Sequence, residues 1–328
     1  MLPGMRAPSL ALSLLFVAST LAACGSSSSP ASGTTDGGTG STGGTSGGPS
    51  GSTGTGGEDG GDPSLIGGDR PVTVHVPASY IPGTAAPLVI LLHGYGASGA
   101  VQDLYFGMTA VSDARGFLYA FPDGTVDTDN KRFWNATDAC CDLHGTKVDD
   151  STYLSSLIRQ IQARYTVDPK RIFLVGHSNG AFMSYRMACD HADQVAAIAS
   201  LAGAMFSDVS KCAPSEPVSV LQIHGTADDT VLFAGDQIAG QGYPGAKTTV
   251  ADWVTLDGCG TTADTTAPPL DLDTRLAGAE TTVTKYATGC KPGGDAELWT
   301  IAGGAHLPSL TASFSTKVID FLFAHPKP

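Results

Sequence analysis

From Ser64 onward, short apolar runs rich in β-branched residues alternate with longer stretches whose apolar residues recur every three or four positions. The runs predict strands at Val72 to Val76, Leu88 to His93, Phe117 to Phe121, Ile172 to Gly176, Ala196 to Ala202, Val218 to His224, Thr282 to Tyr286 and Leu298 to Ile301. Helical spacing covers Tyr153 to Tyr165, where Leu154, Leu157, Ile158 and Ile161 share one face, and also Ala181 to Ala188, Val250 to Leu256 and Phe314 to Phe323. Apolar, β-branched strands that alternate with longer amphipathic stretches point to the α/β class: a mostly parallel central sheet with helices on both faces. Asp149 or Asp150 stands where an N-cap for the helix beginning near Tyr153 is expected. No internal repeat is present, and 64–328 is expected to be one catalytic domain.

The first 63 residues follow a different pattern. Residues 1–23 carry Arg6, then an apolar run from Leu10 through Val17, then Leu21-Ala22-Ala23 before Cys24. The run is too short for a membrane span of about 20 residues and ends on small residues, which predicts a cleaved signal peptide. The Leu-Ala-Ala-Cys ending resembles the lipobox of bacterial lipoproteins, which implies a lipidated Cys24 and an exported protein held at a membrane through that anchor or secreted. Residues 24–63 are almost entirely Gly, Ser and Thr, with nothing to bury, and read as a flexible tether spanning about 35 Å.

Export changes the meaning of the cysteines. Besides Cys24 there are six, Cys140, Cys141, Cys189, Cys212, Cys259 and Cys290, and an even number in an exported chain predicts disulfides. Cys189 and Cys212 bracket one strand-containing segment, and Cys259 and Cys290 bracket a polar excursion. Cys140 and Cys141 are left to pair as neighbours, which few backbones permit. A metal reading of Cys140, Cys141 and His144 lacks a second ligand pair at zinc-like spacing, so no metal is expected. The formal charge of -13, with no Lys/Arg cluster, disfavours a nucleic-acid partner.

Candidate chemistry centres on Gly-x-Ser-x-Gly, which occurs at Gly44 to Gly48 and at Gly176-His177-Ser178-Asn179-Gly180. Ser46 lies in the tether. Ser178 follows the apolar strand Arg171 to Val175 and precedes a helix, the setting in which a tight turn lifts a hydroxyl above a sheet. A serine nucleophile needs a histidine base held by a carboxylate, in the chain order Ser, acid, His. Asp228 follows a buried strand in the spacing His224-Gly225-x-x-Asp228-x-x-Val231, and is preferred to Asp229, a solvated loop charge. His306, in Gly303-Gly304-Ala305-His306, follows the last strand, whereas His325 lies at the C-terminus. His177 and His224 are read as neighbours of the catalytic positions. Oxyanion donors are expected from the backbone amides of Asn179 and of Tyr95, the latter in the loop His93-Gly94-Tyr95-Gly96.

Leu92-His93-Gly94, Phe133-Trp134-Asn135, Val148-Asp149-Asp150, Val167-Asp168-Pro169, Gly176 to Gly180, His224 to Asp228 and Gly303 to His306 together resemble the polyhydroxybutyrate depolymerase and feruloyl esterase family, over about residues 70 to 325. The resemblance implies an α/β-hydrolase fold, no metal or organic cofactor, and hydrolysis of small or polymeric carboxylic esters through an acyl-enzyme. No adsorption domain of the polymer depolymerases is visible after the catalytic part, so esters of plant-wall polysaccharide are expected before solid polyester. Trp134 and Tyr95 are candidate pocket aromatics. A silent binding module and a peptidase are the alternatives from other classes. The complete Ser, Asp, His set argues against the first, and the lack of a propeller or cap against the second.

Overall fold

The computed structural model describes residues 65–328, so the expected leader, the lipidation site Cys24, Ser46 and the tether lie outside the described residues. The central sheet has seven strands: β1 (Ala86–Leu92), β2 (Leu118–Ala120), β3 (Val167–His177), β4 (Ala197–Leu201), β5 (Ser219–Gly225), β6 (Thr281–Tyr286) and β7 (Ala296–Ile301). Their spatial order is β6-β7-β5-β4-β3-β1-β2, parallel throughout except for β6, which runs antiparallel to β7. Six helices cover the sheet: α1 (Gly99–Phe106), α2 (Met108–Arg115), α3 (Asp150–Arg164), α4 (Asn179–Asp190), α5 (Ala246–Leu256) and α6 (Phe314–Ala324).

Every residue of β1 is buried, as a strand covered on both faces requires. Leu88, Ile90 and Leu92 point into the core shared with α3, α4 and α5. Val89 and Leu91 point into the core shared with α1, α2 and α6. Asp149 caps α3, its carboxylate accepting from the Thr152 amide at 2.9 Å. The adjacent Asp150 is buried and instead holds Arg70 and the Asn135 amide.

The structure departs from the sequence pattern at the first expected strand and at the two helices after β1, and it adds small hairpins at Thr125–Phe133 and Gly235–Pro244 that the pattern did not predict. The strand expected at Val72 to Val76 shrinks to Val72–Thr73, paired with Leu65–Ile66, and His75 makes an isolated bridge to Tyr119. Pro71 and Pro77 flank that run and limit its ladder. The helices α1 and α2 had no strong periodic signal. Gly107, at φ +62°, ends one and begins the other, so each offers only two turns of pattern.

Disulfides join Cys189 to Cys212, Cys259 to Cys290 and Cys140 to Cys141. The first ties the end of α4 to the turn at Val209–Lys211, and the second links the segments that follow α5 and β6. The last removes both sulfurs from any thiolate site with His144.

Asp257, at the end of α5, is fully buried and its Oδ2 has no hydrogen-bond partner. Burial pushes its pKa up to about 7, against the opposing pull of the Val218 amide and Lys291. The folded state therefore keeps a proton that the unfolded chain releases near pH 4, so this residue lowers stability progressively from there to about pH 7. Asp257→Asn should show little change in Tm at pH 4 and a rise that grows up to pH 7 and then levels off. Thermal melts across that range check it, and a pH-independent difference would contradict the assignment.

Candidate active site

Parallel strands of an α/β sheet deliver their loops to one edge, and here the C-terminal ends of β1, β3, β5 and β7 carry the site. Ser178 is the single residue between β3 and α4, held at φ +53° and ψ -121°. That backbone is strained for a residue with a Cβ. The tight turn around it can close because the residues two before and two after it are glycine. A Cβ on Gly176 would stand 2.1 Å from the Gly180 carbonyl oxygen, and one on Gly180 would stand 2.1 Å from the Leu92 carbonyl oxygen. The first turn of α4 thus rests directly on β1.

Asp228 lies in the loop after β5 and His306 in the loop after β7. The imidazole Nδ1 of His306 is 2.9 Å from Asp228 Oδ2 and 3.1 Å from Oδ1. Facing a carboxylate, Nδ1 carries the proton, which leaves Nε2 free to accept one. Asp228 is buried, and burial alone would raise its pKa. Hydrogen bonds from His224 and His306 and from the Thr230 amide outweigh that and hold it below the usual carboxylate range. The amides of Thr230 and Val231 both donate to its Oδ1 at 2.9 Å. Asp229, its exposed neighbour, makes only a local contact with Thr230.

The histidine loop is clamped at three consecutive carbonyls. His177 Nε2 donates to His306 O at 3.0 Å, Arg275 to Leu307 O at 2.7 Å and the Tyr105 hydroxyl to Pro308 O at 2.7 Å. Burial pushes the pKa of His177 down to about 4, so its ring is neutral near pH 7. Close approach also joins the two loops, since a Cβ on Gly225 would stand 2.1 Å from the Gly304 oxygen.

Around the loop after β1, the amide of Gly94 donates to Gln102 Oε1, that of Gly96 to Arg132 O and that of Ala97 to Gly94 O. The Tyr95 amide has no partner among the described residues. His93 braces this loop, its Nδ1–H donating to Gly94 O while Nε2 accepts from the Gly124 amide, and burial holds its pKa down. Asn179 stands at the start of α4, where amides have no helical partner. Its side chain pairs with both the amide and the carbonyl of Trp134, at 2.7 and 2.8 Å.

A cavity of about 400 Å³ opens beside Ser178 and His306, walled by Tyr95, Ala97, Val101, Tyr105 and Leu307, with Gln102 and Thr230 contributing polar groups. Trp134, expected at the pocket wall, is not among its lining residues. It is fully buried, packed at a tilt against His93 and donating its indole N–H to His93 O, so it supports the loop after β1 from behind. The second pocket aromatic is Tyr105, which sits on α1, a helix without a clear pattern. His177 and His224 do more than flank the site, because both contact its members directly. Among the described residues, no group of His, Cys, Asp and Glu is arranged to hold a metal ion.

Residues 82–243 match the Phospholipase/Carboxylesterase family. The chain is 29% identical over 246 residues to feruloyl esterase B of Piromyces equi, covering 72% of this chain and 42% of that protein. It is 27% identical over 181 residues to poly(3-hydroxyalkanoate) depolymerase C of Paucimonas lemoignei, covering 55% of this chain and again 42% of the relative. It thus spans less than half the length of these curated relatives. Among solved structures, acetyl xylan esterase from Aspergillus awamori superposes with a TM-score of 0.55 at 14% identity, over 79% of this chain and 98% of that one. At that identity the likeness is one of fold.

Gly180→Ala should lower stability by about 1–3 kcal/mol or more, because the added methyl meets a backbone oxygen and not a movable side chain. Denaturant unfolding measures this, and an unchanged midpoint would mean that α4 lifts off β1 at no cost.

Proposed function

With the chain a member of the α/β-hydrolase superfamily, we propose that it is an exported serine carboxylic-ester hydrolase in which Ser178, Asp228 and His306 form the catalytic triad. The observation that carries this reading is the paired His306 and Asp228 set beside the same cavity as a serine held at a strained strand-to-helix turn. His306 Nε2 takes the proton of Ser178 as its oxygen attacks the ester carbonyl, then hands that proton to the departing alcohol. Water, deprotonated by His306, releases the acid and regenerates Ser178. Asp228 orients the ring and balances the imidazolium charge. The amides of Tyr95 and Asn179 are the donors for the oxyanion.

The cavity walls supply the substrate reading. Two tyrosines and aliphatic side chains line it, and no Lys, Arg, Asp or Glu does. Such a pocket suits an uncharged aromatic acyl group, in line with feruloyl-type esters of plant-wall polysaccharide. A polyester or oligoester substrate is the second reading. It is favoured by aliphatic side chains exposed near the mouth, Val101 and Leu307 on the cavity wall and Leu104 one helical turn from Val101. The leader sequence, Cys24 and the three disulfides support export and a lipid anchor.

Turnover of methyl ferulate, a 3-hydroxybutyrate oligomer and p-nitrophenyl esters of rising chain length tests both readings on the full chain. Ser178→Ala should abolish hydrolysis of all of them while leaving the melting transition intact, and Ser46→Ala should change nothing. Methyl ferulate should be preferred. Preference for the oligomer would select the second reading, and turnover surviving in Ser178→Ala would remove the triad.

A further inference from the structure

We infer that His224 is a positioning residue for the Asp228–His306 pair, with its proton kept on Nε2 by Gln222 so that the ring donates into the acid loop. The inference rests on the triad proposed above. Gln222 and His224 lie two residues apart on β5, on one face of the sheet. The carbonyl oxygen of Gly203 can only accept, so the Gln222 Nε2 group 2.8 Å from it must donate, and this fixes the orientation of the amide. The Tyr185 hydroxyl donates to Oε1 from the other side at 2.9 Å. The second N–H of the amide then meets His224 Nδ1 at 3.1 Å, so Nδ1 accepts.

With Nδ1 accepting, the ring proton sits on Nε2. That nitrogen is 2.8 Å from Val231 O and 3.3 Å from Asp228 Oδ2, so its N–H is shared, with the Val231 carbonyl as the nearer acceptor. One donor thereby grips the acid loop at its far end and at its carboxylate. Tyr185, Gln222, His224 and Asp228 are all buried, and Phe233 packs edge-on against the His224 ring. In such surroundings a fully matched polar chain permits one arrangement, and deleting a member leaves an orphan. Tyr185 belongs to α4, the helix that begins directly after Ser178, so the hydrogen-bond chain runs from the nucleophile's helix to the acid.

The two oxygens of Asp228 are held unequally. Backbone amides fix Oδ1, whereas the side-chain donors on Oδ2 are His306 and His224. Without His224, Oδ2 keeps His306 alone, the carboxylate gains freedom to turn, and its charge acts more fully on the imidazolium. Of the other titratable groups here, His177 is neutral through the assay range because burial holds it near 4, and Tyr185 and Tyr243 because burial raises their phenols, while the charged neighbours are Asp229, exposed beside Asp228, and Arg275, which donates to Leu307 O.

The test is p-nitrophenyl acetate turnover by the full chain from about pH 5 to 9, comparing His224→Leu, His224→Gln, Gln222→Met and Ser178→Ala, each checked for a native melt. His224→Leu should lower kcat about 10-fold to 100-fold, the equivalent of one lost hydrogen bond to a charged group, with little change in KM. Its acid limb should move to higher pH. His224→Gln, which can present an N–H where Nε2 stood, should recover most of the rate. Gln222→Met should shift kcat in the same direction by less, and it carries the test if His224→Leu does not fold. An unmoved acid limb with an unchanged kcat, or a Gln variant no better than Leu, overturns the inference while Ser178→Ala remains inactive. Turnover that survives Ser178→Ala rejects the underlying triad instead, so the two failures are distinguishable.

Discussion

The contact on which the site depends is between the backbone of Gly180 and the Leu92 carbonyl at the end of β1. Because neither Gly176 nor Gly180 has a side chain, the turn after β3 can close within one residue and α4 can lie flat on the neighbouring strand. Ser178 is then forced into a positive φ, and its hydroxyl stands above the sheet edge where the β1, β5 and β7 loops also arrive. The register pairs Leu92 with Gly176, and Gly176 with Ser200, so these strand ends are level. Any side chain at Gly180 would separate the helix from β1 and with it the Tyr95 loop from Ser178.

A second constraint is electrostatic. Burying the Asp228 carboxylate is costly unless its oxygens are saturated with donors, and the structure supplies two backbone amides and two imidazoles. This is why the loop after β5 is tight and why His224 sits four residues before the acid. The histidine loop has no comparable charge of its own to organise it. It is held from outside, at three successive carbonyls, by His177, Arg275 and Tyr105, residues from three separate parts of the chain. Tyr105 serves twice, since it also walls the cavity.

What was legible in the chain follows from the strength of local patterns. Most of the central strands are nearly uninterrupted apolar runs, and all seven were found, although β6 is rich in Thr and β3 begins five residues earlier than its apolar run, where Val167 pairs with Ala86 across an irregular stretch around Pro169. Short helices α1 and α2 left little trace, because eight residues give only two turns in which a period can repeat. Trp134 illustrates the limit for side chains. An aromatic next to a candidate site is compatible with a pocket wall or with support behind it, and only the packing of His93 against its ring decided for support.

The sequence by itself determined the alternation of strands and helices, the glycines that the turn at Ser178 requires, and the chain order in which Ser178, Asp228 and His306 follow strands β3, β5 and β7. These are properties of neighbours along the chain, where period, residue size and turn chemistry act. Only the tertiary structure decided which histidines touch Asp228 and His306, which aromatic lines the cavity and which partner each polar group meets. Those depend on distances between segments as far apart as His177 and His306, or Tyr185 and Gln222, and no local pattern encodes the hydrogen-bond direction that a buried carbonyl such as Gly203 O imposes.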